Sequence, residues 1–429
     1  MIKVLLTLLS VAVCQKGLTS GELDNVQEFG ILCRIYQIAS TTVPEASSAH
    51  DGQMTKLMKD ISDIVLSTTA NDSYYEAEST KITPNIKEHC KRISASSQTQ
   101  PLVRKMRRIL ARASARAAEL GSLGKEDQSA RDTIRKALLK AIYGKDVDTQ
   151  EDGEAAVRGA EAPVFGDQKS KLGSNGDKNC GGSGGPSTGE HVGVSLVNDF
   201  FCLCIAGGHS AGDKWCHISI AKASANKNWA SLTGHDTEWG KIKTNCPRFS
   251  VNLTASAIDQ ALMAFHSRLG GGGKGTPNGD SGQQIGGYIF GKTGTLATGC
   301  TGDDGQVCLN YKKNLVPESN GKIKGIDWEK RLREASWELR QIEERKREGE
   351  VLLTQLEMLN HSAWETCLEA WDRVEDERSS STKVSGSPEG DKGTTKTPIS
   401  NGSLPINSSG VNRGKRLSAF SSYLLVIFA

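Results

Sequence analysis

Ile326-Asp-Trp-Glu-Lys-Arg-Leu-Arg-Glu-Ala335-Ser-Trp-Glu-Leu-Arg-Gln-Ile342 opens the stretch that decides the fold. Trp328, Leu332, Ala335, Leu339 and Ile342 recur at alternating steps of four and three, the spacing of a helix face that packs on another helix. The same register continues through Lys346, Gly349, Leu353, Leu356, Asn360, Ala363, Cys367, Ala370 and Val374. Of these 14 positions 11 are apolar, the exceptions being Lys346, Gly349 and Asn360. The spacing predicts a coiled-coil-like helix over 326–377 with a defect in its middle. At 1.5 Å per residue such a helix is roughly 75–80 Å long. Asp327 can cap its start, and Glu329 suits the positive end of the helix dipole. Asn360 sets a conflict, because it also begins an N-x-Ser sequon and a glycan cannot occupy a packed seam. Either the register shifts after Gly349 or the sequon is unused.

Upstream, Leu23, Val26, Phe29, Cys33 and Tyr36 step by three or four and predict a helix over 22–43, interrupted by Pro44. Met54, Leu57, Met58, Ile61, Ile64 and Val65 resume the spacing. A further helical region covers 101–143, with Leu102, Met106, Ile109, Leu110, Ala113 and Ala117 on one face and Gly121 and Gly124 as punctuation. Ile134, Leu138, Ala141 and Ile142 continue it, and Gly144 suits its C-cap. The cationic cluster Arg104-Lys105-Met106-Arg107-Arg108 reads as the solvated face of this amphipathic helix. Residues 145–190 are acidic, then rich in Gly and Ser, and read as a loop. Residues 191–311 hold Trp215, Trp229, Trp239 and the Gly-rich run 270–287, and predict a cystine-stapled lobe with short strands and a helix near 255–269.

The 429-residue chain is 37% hydrophobic and 24% charged, which excludes collagen, a multi-span membrane protein and wholesale disorder. Its ends read as processing signals. Lys3 precedes an apolar run, Val4–Val13, too short to span a bilayer and of signal-peptide length. Ala12 and Cys14 suit cleavage after residue 14, with cleavage as late as residue 20 also compatible. Residues 379–407 are rich in Ser, Thr, Gly, Pro and Lys and read as a flexible stalk. Small residues around Asn407-Ser408, a basic spacer and a short apolar tail to Ala429 form the order of a GPI signal, with attachment at Asn407 or Ser408 and removal of 408–429. The formal charge is +3, but the discarded pieces carry Lys3, Arg413, Lys415 and Arg416 and no acid. The remainder has 49 cations against 50 anions, so the charge argument for nucleic acid lapses.

Apart from Cys14, ten cysteines remain: Cys33, Cys90, Cys180, Cys202, Cys204, Cys216, Cys246, Cys300, Cys308 and Cys367. In a secreted chain they read as up to five disulfides of open connectivity; Cys300–Cys308 suits a local bridge, and Cys202 and Cys204 suit different partners. A metal site built from Cys202, Cys204, His209, Cys216 and His217 is the weaker rival, since no CxxC pair is present. Sequons at Asn71, Asn252, Asn360 and Asn401 are glycosylation candidates, with a fifth at Asn407 overlapping the anchor site.

Gly286-Gly-Tyr-Ile-Phe-Gly291-Lys292-Thr293 fits the letters of a phosphate-binding loop, but polar, Gly-rich flanks replace the buried strand and following helix that such a loop needs. No nucleophile, paired-carboxylate or metal-protease motif stands out. The chain reads as a non-enzyme with no cofactor and no metal.

The chain resembles the variant surface glycoproteins of African trypanosomes, with the closest likeness to the B-type N-terminal domain. The likeness is carried by Phe29-Gly-Ile-Leu-Cys33-Arg-Ile-Tyr36, Phe200-Phe-Cys202-Leu-Cys204-Ile, Trp215-Cys216, and the 326–371 helix with Trp364 and Cys367. It spans roughly residues 22–377, within a domain of 15–378. The stalk has no cysteine, unlike members that carry a separate cystine-bonded C-terminal domain. The resemblance implies a mainly α fold: an elongated antiparallel helical hairpin or coiled coil, with a cysteine-rich irregular lobe and a disordered C-terminal stalk. It implies a stem built from the 22–70 and 326–377 helices, with self-association as a homodimer or, less simply, a trimer. The implied function is a GPI-anchored coat on the outer leaflet of the plasma membrane, facing host antibodies and supporting antigenic variation and evasion of immunity. A GPI-anchored receptor on the same scaffold, binding a host protein or nutrient, is the alternative; a hydrolase lacks a nucleophile motif. The polar lobe, without an evident aromatic binding cluster, favours the coat.

Overall fold

The structure is a computed structural model. It describes residues 23–45, 49–69, 72–90, 92, 99–145, 147, 176–185, 187–205, 214–220, 235–271, 286–292, 299–302 and 306–381. Residues 1–375 form one compact unit; of the second, 376–429, the described part is 376–381. The signal peptide, the stalk from 382, the anchor site and the sequons at Asn71, Asn401 and Asn407 therefore lie outside the described residues.

The fold is mainly α. In chain order come α1 (Val26–Ala39), α2 (Ala49–Ser67), α3 (Asp72–Glu78), α4 (Pro84–His89), α5 (Gln100–Tyr143), α6 (Gly176–Cys180), α7 (Leu196–Cys204), α8 (His235–Asn245) and α9 (Ala255–Arg268). A two-stranded antiparallel ribbon follows, β1 (Ile289–Gly291) with β2 (Cys308–Asn310), pairing Phe290 with Leu309. Then come α10 (Lys312–Leu315) and α11 (Asp327–Ser381).

Two large hydrophobic cores divide this unit. The first gathers α1, the end of α5, α7, α8, α9, both strands and the start of α11. Phe265 sits at its centre, with ring centroids 4.9 Å from Phe290, 5.4 Å from Tyr311 and 5.0 Å from Trp328. Edge-to-face and tilted contacts at these distances suit the quadrupoles of the rings. The second core joins Ile61 and Ile64 of α2, Ile86 of α4, Met106, Ile109, Ala113 and Leu120 of α5, and Leu352 to Cys367 of α11. Asp63 ties α2 to α4: its Oδ2 accepts from Thr83 N at 2.8 Å and Thr83 Oγ1 at 2.7 Å, capping the helix that Pro84 begins.

Half of the expected stem is present, since α2 packs with α11 in the second core and Gln53 Nε2 donates to Glu357 Oε1 at 2.7 Å; the other half, and the long partner, are corrected. α5 runs antiparallel to α11, as the ion pairs Lys105–Glu369 and Asp127–Arg345 show. The 22–43 segment instead enters the first core. In α1, Phe29, Leu32, Cys33, Ile35, Ile38 and Ala39 are all buried, so its apolar residues surround the helix rather than lining one seam. Gly121 and Gly124 do not punctuate α5, whose 44 residues run unbroken to a C-cap at Gly144, where φ is +99°. A Cβ added at Gly121 or Gly124 meets nothing within 4 Å. Each change to Ala should therefore stabilise by about 0.5–1 kcal/mol through helix propensity, measured by denaturant unfolding. A loss of stability in either variant would show that the backbone there needs its freedom.

The register of α11 runs straight through its defect. Leu353, Leu356, Ala363, Cys367 and Ala370 are buried on the seam read from the sequence, and no shift follows Gly349. Asn360 stays on that seam, half-buried, with its Oδ1 enclosed and without a protein partner.

Candidate functional site

The most highly organised polar centre lies where the lobe meets α11. Ser195 caps α7, its side chain accepting from Asn198 N at 3.1 Å, and this cap sets Asp199 in the first turn. Asp199 is fully buried. Its Oδ2 accepts from Tyr311 Oη at 2.6 Å and from Trp328 Nε1 at 2.7 Å. Its Oδ1 accepts from Gly193 N at 2.9 Å and Asn198 Nδ2 at 3.1 Å. Burial raises its pKa to about 6, against the pull of these four donors. Burial, with the Asp199 charge beside it, pushes the Tyr311 phenol up in turn.

Gly193 completes the junction. Its carbonyl accepts from Asp327 N at 2.9 Å and Trp328 N at 3.1 Å, holding the first turn of α11. It has φ +74°, and a Cβ there would meet Ile326 Cγ2 at 3.1 Å and Tyr311 Cε1 at 3.3 Å, so Gly is required. Asp199 is fully buried and both its oxygens are occupied by the four donors, so it meets no solvent-borne reactant. The centre is a structural clasp rather than acid–base machinery.

A second cluster joins α9 to α11. Glu329 Oε1 meets His266 Nε2 at 2.8 Å and accepts from Arg333 Nε at 2.8 Å. Burial opposes its ionisation, but the bonds from His266 and Arg333 outweigh it and hold the carboxyl below its usual range. Arg268 Nε likewise donates to the buried Glu28 at 2.6 Å, tying α9 to α1.

The ten cysteines form five bridges: Cys33–Cys246, Cys90–Cys367, Cys180–Cys202, Cys204–Cys216 and Cys300–Cys308. Three cysteines of the rival metal set are thus consumed as cystine, and His209 lies outside the described residues. Four bridges lie in the first core; Cys90–Cys367 alone staples the second. The local Cys300–Cys308 bridge and the different partners of Cys202 and Cys204 are as the sequence suggested; the remaining pairings were open in it, since spacing alone does not say which loops meet.

The phosphate-loop letters fold as a 3-10 turn at Gly286–Tyr288 followed by β1. Lys292 pairs with Asp24, and its backbone N donates to Asn25 Oδ1 at 2.8 Å. Its ammonium is therefore neutralised by the start of the chain's first turn. In the cationic cluster, Arg104, Lys105, Arg107 and Arg108 are exposed while Met106 is fully buried, as a solvated helix face requires. Asn252 is exposed just before α9, and Thr254 of the same sequon caps that helix by accepting from Ala257 N at 3.1 Å.

No group of three or more metal-ligating side chains is found among the described residues. No described helix is long and apolar enough to cross a membrane. Fold and polar centres together define a cystine-stapled helical scaffold whose buried charges hold elements together. The family model of the trypanosomal VSG domain matches residues 7–100 and 70–358, and the chain belongs to that family. It is similar to variant surface glycoprotein YnAT 1.1 of Trypanosoma congolense, 27% identical over 243 residues, covering 53% of this chain and 54% of the relative. Variant surface glycoprotein YnAT 1.3 of the same organism is 28% identical over 139 residues, 31% of this chain and 33% of the relative. The chain thus spans about half the length of the first relative and a third of the second.

Proposed function

We propose that this protein is a surface coat glycoprotein, GPI-anchored at Asn407 or Ser408, that shields the plasma membrane and carries antigenic variation and evasion of host immunity. Family membership is the observation that carries the reading. The framework supports it: a buried clasp and cystines hold the helices together at positions far apart in the sequence, as a scaffold that tolerates change elsewhere requires. The domain runs over 15–378 after a signal peptide of 1–14, with a stalk expected over 379–407, of which the first residues, to Ser381, still belong to α11. Among the described residues, Lys292 is engaged in an ion pair and the ten cysteines in bridges, which takes the phosphate-loop lysine and the thiols out of any catalytic role and supports the coat reading. Sugar is expected on Asn252, which is exposed, and not on Asn360, which is half-buried on the packed seam of α11.

Two measurements together test the role. Phosphatidylinositol-specific phospholipase C should release the protein from intact membranes, and surface proteomics should find it dominant at the cell surface. A scarce surface protein with one host ligand would favour the receptor reading on the same scaffold, and retention after lipase treatment would refute the anchor.

Self-association is proposed along α11. Val351 and Met358 are more than half exposed at heptad spacing, facing away from the second core. Replacing both with Glu should convert a dimer to monomer in analytical ultracentrifugation; an unchanged mass would exclude this face.

A further inference from the structure

The defect in the α11 seam opens on a cavity of about 340 Å³ between α2, α5 and α11, at the level where the two cores part. It exists because the sequence puts Gly121 and Gly124 on α5 opposite Lys346 and Gly349 on α11, where large apolar side chains would otherwise interlock. Its walls include Leu120, Leu123 and Ile342. Its charged lining is unbalanced: Lys125, Arg131, Arg345 and Lys346 face Asp51 and Asp127, an excess of two cations.

Two guanidinium groups are incompletely used. Arg131 is only 9% exposed and donates through Nη1 to the Pro44 carbonyl, but its buried Nε has no protein acceptor. Arg345 donates through Nε to Asp127 Oδ1 at 2.6 Å, while its buried Nη2 has none. Those two nitrogens are enclosed by protein, and it is the remaining atoms of the two guanidinium groups, which line the cavity, that offer a carboxylate charged hydrogen-bond donors. The volume corresponds to on the order of ten waters at ~30 Å³ each, enough for a ligand of comparable heavy-atom count.

We propose that this cavity binds a small organic carboxylate, its charged head on Arg131 and Arg345 and its apolar body against Leu120, Leu123 and Ile342. The apolar walls select against a bare inorganic anion, and the net positive lining selects against a neutral isostere. The site lies inside the helical framework, apart from the exposed loops.

Isothermal titration of the full chain with octanoate, octanamide and inorganic phosphate tests this. Octanoate should bind at submillimolar Kd, at least tenfold tighter than the other two. Arg345→Met combined with Asp127→Asn, which leaves no lone charge behind, should weaken octanoate at least tenfold. Arg340→Met, on the exposed face of α11, should leave binding unchanged. No binding of octanoate up to ~10 mM would overturn the proposal on the unmodified chain. So would octanamide or phosphate binding as well as octanoate, or a double variant that binds like the parent.

Discussion

Asp199→Ala should destabilise the protein by about 3–5 kcal/mol at neutral pH, measured by denaturant unfolding. The change removes one acceptor side chain and strands three donors that stay buried: Tyr311 Oη, Trp328 Nε1 and Gly193 N. Each stranded donor costs about 1–3 kcal/mol of lost solvation, reduced by whatever water the vacated space admits. Asp199→Asn is the informative partner, because it keeps the shape, does not titrate, and turns an amide NH2 toward groups that themselves donate. The folded pKa of Asp199, about 6, lies above its unfolded value near 3.8. The native state therefore holds this proton more tightly than the unfolded chain does. The group's contribution is complete below the unfolded value and is lost as pH rises through 6, by roughly 3 kcal/mol in all. The penalty of Asp199→Asn relative to the parent should accordingly shrink between pH 4 and pH 7. A penalty that grows over that range would mean that the four donors outweigh burial and that the carboxylate is the favoured form.

Breaking Cys90–Cys367 by changing both residues to Ser should cost about 2–5 kcal/mol. The bridge spans 277 residues of sequence and crosslinks the end of α4 to α11, although Cys33–Cys246 already shortens the loop it closes. The effect should also be local. The other four bridges lie in the first core, so the second depends on this one and on the packing of Ile61, Met106 and Leu356. Amide exchange should quicken along α4, α5 and the second half of α11, while α7 and α9 keep their protection. Equal quickening in both cores would refute this separation, and unchanged stability would show that packing alone holds the second core.

Much of this was legible in one dimension because burial on a helix repeats. Trp328, Leu332, Ala335, Leu339, Leu353, Leu356, Ala363, Cys367 and Ala370 are buried on the register written in the sequence. The solvated face at Arg104–Arg108 was equally readable, since one apolar residue among four cations can turn only one way. The partner of that long helix was not readable. Periodicity says that a seam must be covered and not by what, and Gly121 and Gly124 disguised the continuity of α5. The clasp at Asp199 was missed for a related reason. It unites residues 193, 199, 311 and 328, and no local signal distinguishes a buried Asp with four donors from an Asp at the surface. The nearest clue was Ser195, three residues before Asn198, which marks a capped helix start without saying what that helix end will meet.

By itself, then, the sequence determined the long helices at 49–67, 100–143 and 327–381, the buried face of the last of them and the even set of ten cysteines, because each follows from spacing and residue type along the chain, whereas the short lobe helices α7 and α8 did not show in it. Tertiary structure alone decided that α5 joins α2 against α11 while α1 enters the other core, how the eight cysteines besides Cys300 and Cys308 pair, and that two arginines line a cavity at the seam's defect. Those outcomes depend on residues as far as 304 positions apart, as in the bond from Gln53 Nε2 to Glu357 Oε1. Such contacts form only when the whole chain has buried its apolar surface, a long-range balance that no local pattern encodes.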